Sequence, residues 1–214
     1  MARKNFNGSQ IIFRPSQPKD AEIAGRLLLV TFPKKATFMI GLGSEGRAKE
    51  ILTNLFPIAG HRLSYSHAEV AILDEKVIGI SIAYPGRMMG QLNRKLYGLI
   101  LQQYSLLRKF TLIRRALPQI FMEETTRSEF FMSNLAVSKR FRGHGVGEEM
   151  LRRVESRAKA LNLPQVGLIC AIENRDARRF YERHGYAVVA MHLESNQRVP
   201  YLGPGTQRMV KELD

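Results

Sequence analysis

Two apolar runs flank one amphipathic segment in the second half of the chain, and this unit limits the possible folds more than any other feature. Glu129 to Val137, with FMSNLAV at its centre, is nearly continuously apolar, and so is Val166 to Ile172. Such runs suit strands covered on both faces. Between them Val146, Met150, Val154, Ala158 and Leu161 fall on one helical stripe, and Leu163-Pro164 closes the helix. A strand-helix-strand crossover is right-handed and makes its two strands parallel neighbours. Ligands of such sheets bind beyond the carboxyl ends of the strands. There the chain places FRGHGVGEEMLRR, Phe141 to Arg153, with three glycines at alternate positions.

Other elements follow from local signals. Gln10 to Arg14 reads as a first strand, and Pro18-Lys19-Asp20 opens an apolar helix through Phe32, stopped by Pro33. A second helix is expected from Ser44 to Phe56. Ala68 to Leu73 and Val77 to Ala83, separated by Asp74-Glu75-Lys76, read as a hairpin that Pro85-Gly86 ends. Asn174 is a good N-cap for a short helix ending at Gly185, with Ala177, Phe180 and Tyr181 on one face. Ala187 to Leu193 and Gln207 to Leu213 can add a closing hairpin.

Residues 87–122 differ in character, with seven basic residues, no acidic one, and apolar residues at helical spacing. Leu92, Leu96, Leu99, Leu106, Phe110, Ile113 and Leu117 follow a four-three rhythm that Gln103 interrupts, which predicts one or two helices inserted into a single domain spanning 1–214.

Charge narrows the partners. The formal net charge is +14, so the chain attracts anions: nucleic acid, an acidic membrane surface or a polyanionic cofactor. Its single cysteine, Cys170, permits no internal disulfide, which fits a reducing cytoplasm. MARKNFNGSQ lacks the apolar stretch of a secretory signal. The uncharged apolar run from Leu96 to Leu107 falls short of the roughly 20 residues that cross a bilayer. A cytoplasmic protein is expected.

At a helix start several amides lack intrahelical partners and the peptide dipoles add partial positive charge, which makes an anion site. Gly143, Gly145 and Gly147 keep Cβ atoms away from that site, and Arg142 adds a charge. The P-loop pattern fails, because Gly147 is followed by Glu148 and Glu149 instead of Lys-Ser or Lys-Thr. G-x-G-x-G also departs from the G-x-G-x-x-G dinucleotide fingerprint.

Arg-x-x-Gly-x-Gly from Arg142 to Gly147, after a strand ending LAV, resembles the acyl-CoA motif of the GNAT superfamily of N-acetyltransferases. ENRDARRFYERHGY, Glu173 to Tyr186, resembles that family's Asn-x-x-Ala-x-x-x-Tyr block followed by Gly and an aromatic. The resemblance is clear over 130–186, and the insert has no counterpart in the minimal family fold. It implies an α/β (α+β) fold: a mixed, mostly antiparallel central sheet flanked by helices, with the insert before the fourth strand. It also implies acetyl transfer from acetyl-CoA to a primary amine, by direct attack through a tetrahedral intermediate. Backbone amides of Arg142, Gly143, His144, Gly145, Val146 and Gly147 would hold the coenzyme A pyrophosphate. Leu135, Ala136 and Val137 would pair with the pantetheine arm and polarise the thioester carbonyl. Asn174 matches the pantetheine contact. Tyr181 matches the acid that protonates the departing thiolate, a task within reach of a phenol of ordinary pKa near 10.

The amine must lose a proton before it attacks. Positions where relatives carry a glutamate base hold Phe131 and Ile169; Glu129, Glu69 and His67 are substitutes, none of them assigned. Plainer roles compete: Tyr181 as core, Asn174 as a cap alone, His144 as a solvent-facing residue, Cys170 as a small buried one. His61, His67, His184 and His192 lack metal spacing, and no metal is expected. A non-catalytic acyl-CoA sensor is the alternative function. For the insert, packing over the acceptor cleft stands first and a homodimer contact second, ahead of a membrane surface; nucleic acid comes last, since no recognition module accompanies the charge. Small-molecule amines and protein or peptide amines remain open as acceptors.

Overall fold

The structure is a computed structural model that describes residues 10–120, 124–193 and 203–213. The first nine residues, the end of the insert at 121–122 and the Leu117 side chain lie outside what is described. Seven strands form one sheet in the order β1-β2-β3-β4-β5-β7-β6. They are β1 (Ile12–Pro15), β2 (Ala68–Leu73), β3 (Lys76–Pro85), β4 (Glu129–Val137), β5 (Gln165–Ala171), β6 (Ala187–Leu193) and β7 (Gly205–Glu212). Every adjacent pair is antiparallel except β4 with β5. The expected mixed, mostly antiparallel sheet is therefore present, and the closing hairpin slots β7 between β5 and β6. The β2–β3 turn holds Asp74 and Glu75 at positive φ, 48° and 62°, which matches the twist of a two-residue hairpin.

Helices cover both faces. On one side α1 (Ala21–Thr31), α3 (Glu45–Leu55) and the first insert helix, α4 (Met89–Gln102), bury Leu28, Leu52, Leu55, Leu92 and Leu96 against Ile80, Ile82 and Phe131 of the sheet. Opposite them α6 (Val146–Ala160) and α7 (Arg175–Arg183) bury Leu151, Val154, Ala158 and Tyr181 against Phe130, Met132 and Leu168. Ser44 caps α3, its hydroxyl accepting from the Arg47 amide.

Phe32 leaves the helical region at φ −149° and ψ 56°, so α1 stops ahead of Pro33 as expected, and Pro33 opens a separate short turn, α2 (Pro33–Lys35), which runs on into a π-turn at Ala36–Ile40. Proline is tolerated in a first turn, where its missing N–H would be unpaired anyway. Two expectations need correction. Leu161 lies past the end of α6 and is half exposed, so the buried stripe stops at Ala158. In the second insert helix, α5 (Leu106–Ile120), the expected core stripe faces outward: Leu106, Phe110 and Ile113 are exposed, and Leu112 is buried instead.

Candidate active site

Sheet geometry creates the site. The β4–β5 pairing runs from Glu129↔Gln165 to Met132↔Leu168 and stops there, although both strands continue. Each stays tied to its outer neighbour, β4 to β3 as far as Gly79↔Val137 and β5 to β7 as far as Ala171↔Thr206. The sheet thus parts into a wedge. Residues 133–137 present a β5-facing edge with no strand against it, at the carboxyl ends where ligands of such sheets bind. A bulge in the β3–β4 ladder, between Ile82 and Ala83, falls where the wedge opens.

The glycine loop closes the wide end. Ser138 is fixed by its amide donating to the Ile78 carbonyl at 2.8 Å, and Phe141 N–H donates to Ser138. Gly143 and Gly145 then take φ of 77° and 78°, a left-handed region that penalises other residues. A Cβ on either would meet only open space, so the demand is for backbone conformation and an uncovered surface. Gly147 differs. Its Cβ would touch Phe180 and Val137 at an ordinary 3.7 Å, so packing does not force a glycine there. Glu149 is the first amide to bond back, to the Gly145 carbonyl at 3.0 Å; ahead of it the amides of Val146, Gly147 and Glu148 have no main-chain acceptor among the described residues. Unpartnered donors at a helix start suit a diphosphate. Arg142 does not extend over the loop: its Nε–H donates to the Val137 carbonyl at 3.1 Å, bracing the end of β4.

Asn174 caps α7, its Oδ1 accepting from the Ala177 amide at 3.1 Å, which leaves its Nδ2 donors to face outward. Tyr181 packs among Phe180, Tyr186 and Cys170. Burial, with a smaller push from Cys170, raises its phenol well above the ordinary value, so Tyr181 is a protonated donor and a weaker acid than the sequence suggested. Cys170 is buried in β5, its thiol also pushed up by burial.

Two of the three substitute bases are engaged elsewhere. Glu129 starts β4 at the closed end of the wedge, accepts from Thr125 Oγ1 at 2.8 Å and the Thr126 amide at 3.1 Å, and pairs with Arg208. It also packs on Gly167, where a Cβ would collide with its carboxylate. Glu69 is held by Arg153 of α6 through two bonds. His67 meets Tyr84 edge-on, and burial followed by the Arg157 and His61 charges lowers its pKa, keeping the ring neutral.

Sequence reasoning missed a polar group on the α1/α4 side of the wedge. Arg62 makes a 2.6 Å ion pair with Glu124, and its guanidinium also donates to Asn93 Oδ1 of α4 and to Ser133 Oγ, the residue at which β4 leaves β5. Asn134, next along, donates to Thr31 Oγ1 at 2.7 Å. Burial alone would raise the Glu124 carboxyl, yet Arg62 and Lys35 outweigh it and hold it below the ordinary range. Tyr84 and Tyr97 complete the surroundings, burial raising both phenols. Across the mouth, Lys34 pairs with Glu173 at 2.9 Å and so links the α2 turn to the segment after β5. The only sequence signal for Arg62 and Glu124 was polarity beside apolar strands, which many surface residues share.

Wedge, unpaired strand edge and unpartnered amides together form a site open to an extended ligand with an anionic end. The family model described as the acetyltransferase (GNAT) family matches residues 61–186. A crystal structure titled as an acetyltransferase aligns with a TM-score of 0.68 at 21% identity, over 95% of this chain and all of the other. An N-acetyltransferase from Staphylococcus aureus Mu50 aligns with a TM-score of 0.68 at 17% identity, over 93% and 99%. An agmatine N-acetyltransferase mutant aligns at 0.55 and 15%, over 95% and 99%. These identities show a shared fold. No curated protein matches the sequence significantly. The chain belongs to the GNAT family of acetyltransferases.

Proposed function

We propose that this chain transfers the acetyl group of acetyl-CoA to a primary amine. The observation that carries the reading is the parting of β4 from β5 beside unpartnered amides at the start of α6. The thioester supplies an acyl carbon open to attack. The amides of 143–148 bind the diphosphate, and the edge of Leu135, Ala136 and Val137 pairs with the pantetheine amides. A main-chain N–H of that edge donates to the carbonyl oxygen as negative charge grows there. Asn174 adds its side-chain amide from the α7 end. The neutral amine nitrogen bonds to the carbonyl carbon, the carbon–sulfur bond breaks, Tyr181 gives its hydroxyl proton to the sulfur, and the proton the nitrogen sheds to solvent balances the one that restores Tyr181. The sulfur gains basicity only as the carbon–sulfur bond breaks, so this proton moves as the sulfur leaves and not before.

The acceptor enters from the Arg62–Glu124 side. No base is assigned there, because Glu124 is depressed by its cations and suits holding an ammonium better than taking its proton. A thiol-release assay across a panel of amines tests the reading. Turnover that collapses in Tyr181→Phe supports it; tight acetyl-CoA binding with no turnover on any amine would instead make the chain a sensor.

A further inference from the structure

Helix α5 is turned opposite to the usual arrangement. Arg108, Thr111 and Arg115 share its inward side with the buried Leu112, lining with Ser44 and Arg47 a cavity of about 660 Å³ against α3. Its outward side carries Leu106, Phe110 and Ile113, at i, i+4 and i+7, with Leu107 beside them. Their exposures are 81%, 72%, 48% and 87%. Three contacts fix this roll: Arg115 donates to the Phe38 carbonyl at 2.6 Å, its guanidinium lies 4.2 Å from the Phe38 ring, and Leu112 is buried. Rotating the helix to hide the stripe would break all three.

We propose that the outer face of α5 docks on an anionic lipid surface, the helix lying in the plane of the headgroups. Charge selects this occupant over a second copy. Lys109 and Arg114 flank the stripe, and 87–120 contains no acidic residue. Two such faces meeting would bring cations together around a shared apolar seam. An acidic bilayer complements both parts, because Leu106, Phe110 and Ile113 reach the acyl boundary while Lys109 and Arg114 extend their stems toward phosphates. The formal charge of +14 adds long-range attraction to the same surface. The inference stands whether or not the acetyl-transfer reading does.

Vesicle flotation of the full chain tests it, with phosphatidylcholine vesicles and with phosphatidylcholine–phosphatidylglycerol vesicles. The expected result is flotation with the anionic vesicles and little with the neutral ones. Phe110→Asp should cut the bound fraction about tenfold or more at unchanged melting temperature. Lys109→Glu with Arg114→Glu should weaken binding, and raised salt should do the same. Absence of flotation overturns the proposal, as does flotation indifferent to Phe110→Asp, which would reflect bulk charge alone. A stable dimer in solution that Phe110→Asp dissociates overturns it too and gives the face to a second copy.

Discussion

The two sides of the wedge are built on opposite principles. On the side proposed to hold the donor, the groups presented are main-chain amides from one short segment, 143–148, carried by two left-handed glycines and a helix start. On the side proposed for the acceptor they are side chains from four segments, Arg62, Asn93, Glu124 and Ser133, joined by a partly buried ion pair. Main-chain recognition tolerates change around it as long as the backbone path survives. A buried ion pair does not, because removing one partner strands the other charge.

Arg62→Ala should have the largest effect. It leaves Glu124 partly buried with only Lys35, 4.0 Å away, as a cation, at a cost of about 3 kcal/mol in a denaturant melt. Activity in what remains folded should fall through the acceptor, with acetyl-CoA affinity unchanged; equal weakening of both substrates would break the comparison. Next comes Tyr181→Phe, expected to lower kcat about 100-fold while leaving the melting temperature nearly in place. Gly145→Val is smaller in stability, about 1–2 kcal/mol for forcing a branched residue to positive φ, and should raise the dissociation constant for acetyl-CoA without changing the amine KM at saturating donor.

Acid should separate the sides again. Glu124 and Glu129 both have depressed carboxyls in the fold, so their stabilisation is complete above the ordinary value of 4.5 and is lost as pH falls through their lower folded values. Melting temperature should drop below that pH, and less steeply in Glu124→Gln. Lys34→Ala should do least: its pair with Glu173 is exposed on both sides and contributes less than about 0.5 kcal/mol. A large effect there would mean the mouth depends on that bridge.

This contrast also explains what the sequence could reveal. The loop, most of the α6 stripe from Val146, the Asn174 cap and the β2–β3 hairpin are set by neighbours within a few positions, so local spacing exposed them, though not that Lys76 belongs to β3 or that Leu161 lies past the helix. Arg62 and Glu124 lie far apart in the chain and meet only because α4 and β4 bring their segments together. Nothing local marks them. The insert shows a third case. Its apolar rhythm correctly predicted amphipathic helices, and α4 buries Leu92 and Leu96 as expected, yet the same rhythm in α5 could not say which face turns inward. The Phe38 carbonyl and ring that hold Arg115 decided it, and they come from another segment. The motif pointed to Tyr181 as a candidate, but its raised pKa follows from packing that no spacing encodes.

The central claim is that amides between Gly143 and Glu148 receive the diphosphate of the thioester carrier. Heteronuclear NMR of glycine-labelled protein titrated with coenzyme A reads it directly, because each amide reports its own hydrogen bond. Saturable shifts concentrated at Gly143, Gly145 and Gly147, with distant Gly43 and Gly60 unmoved, are the predicted result. Unshifted loop glycines at saturating coenzyme A would contradict it.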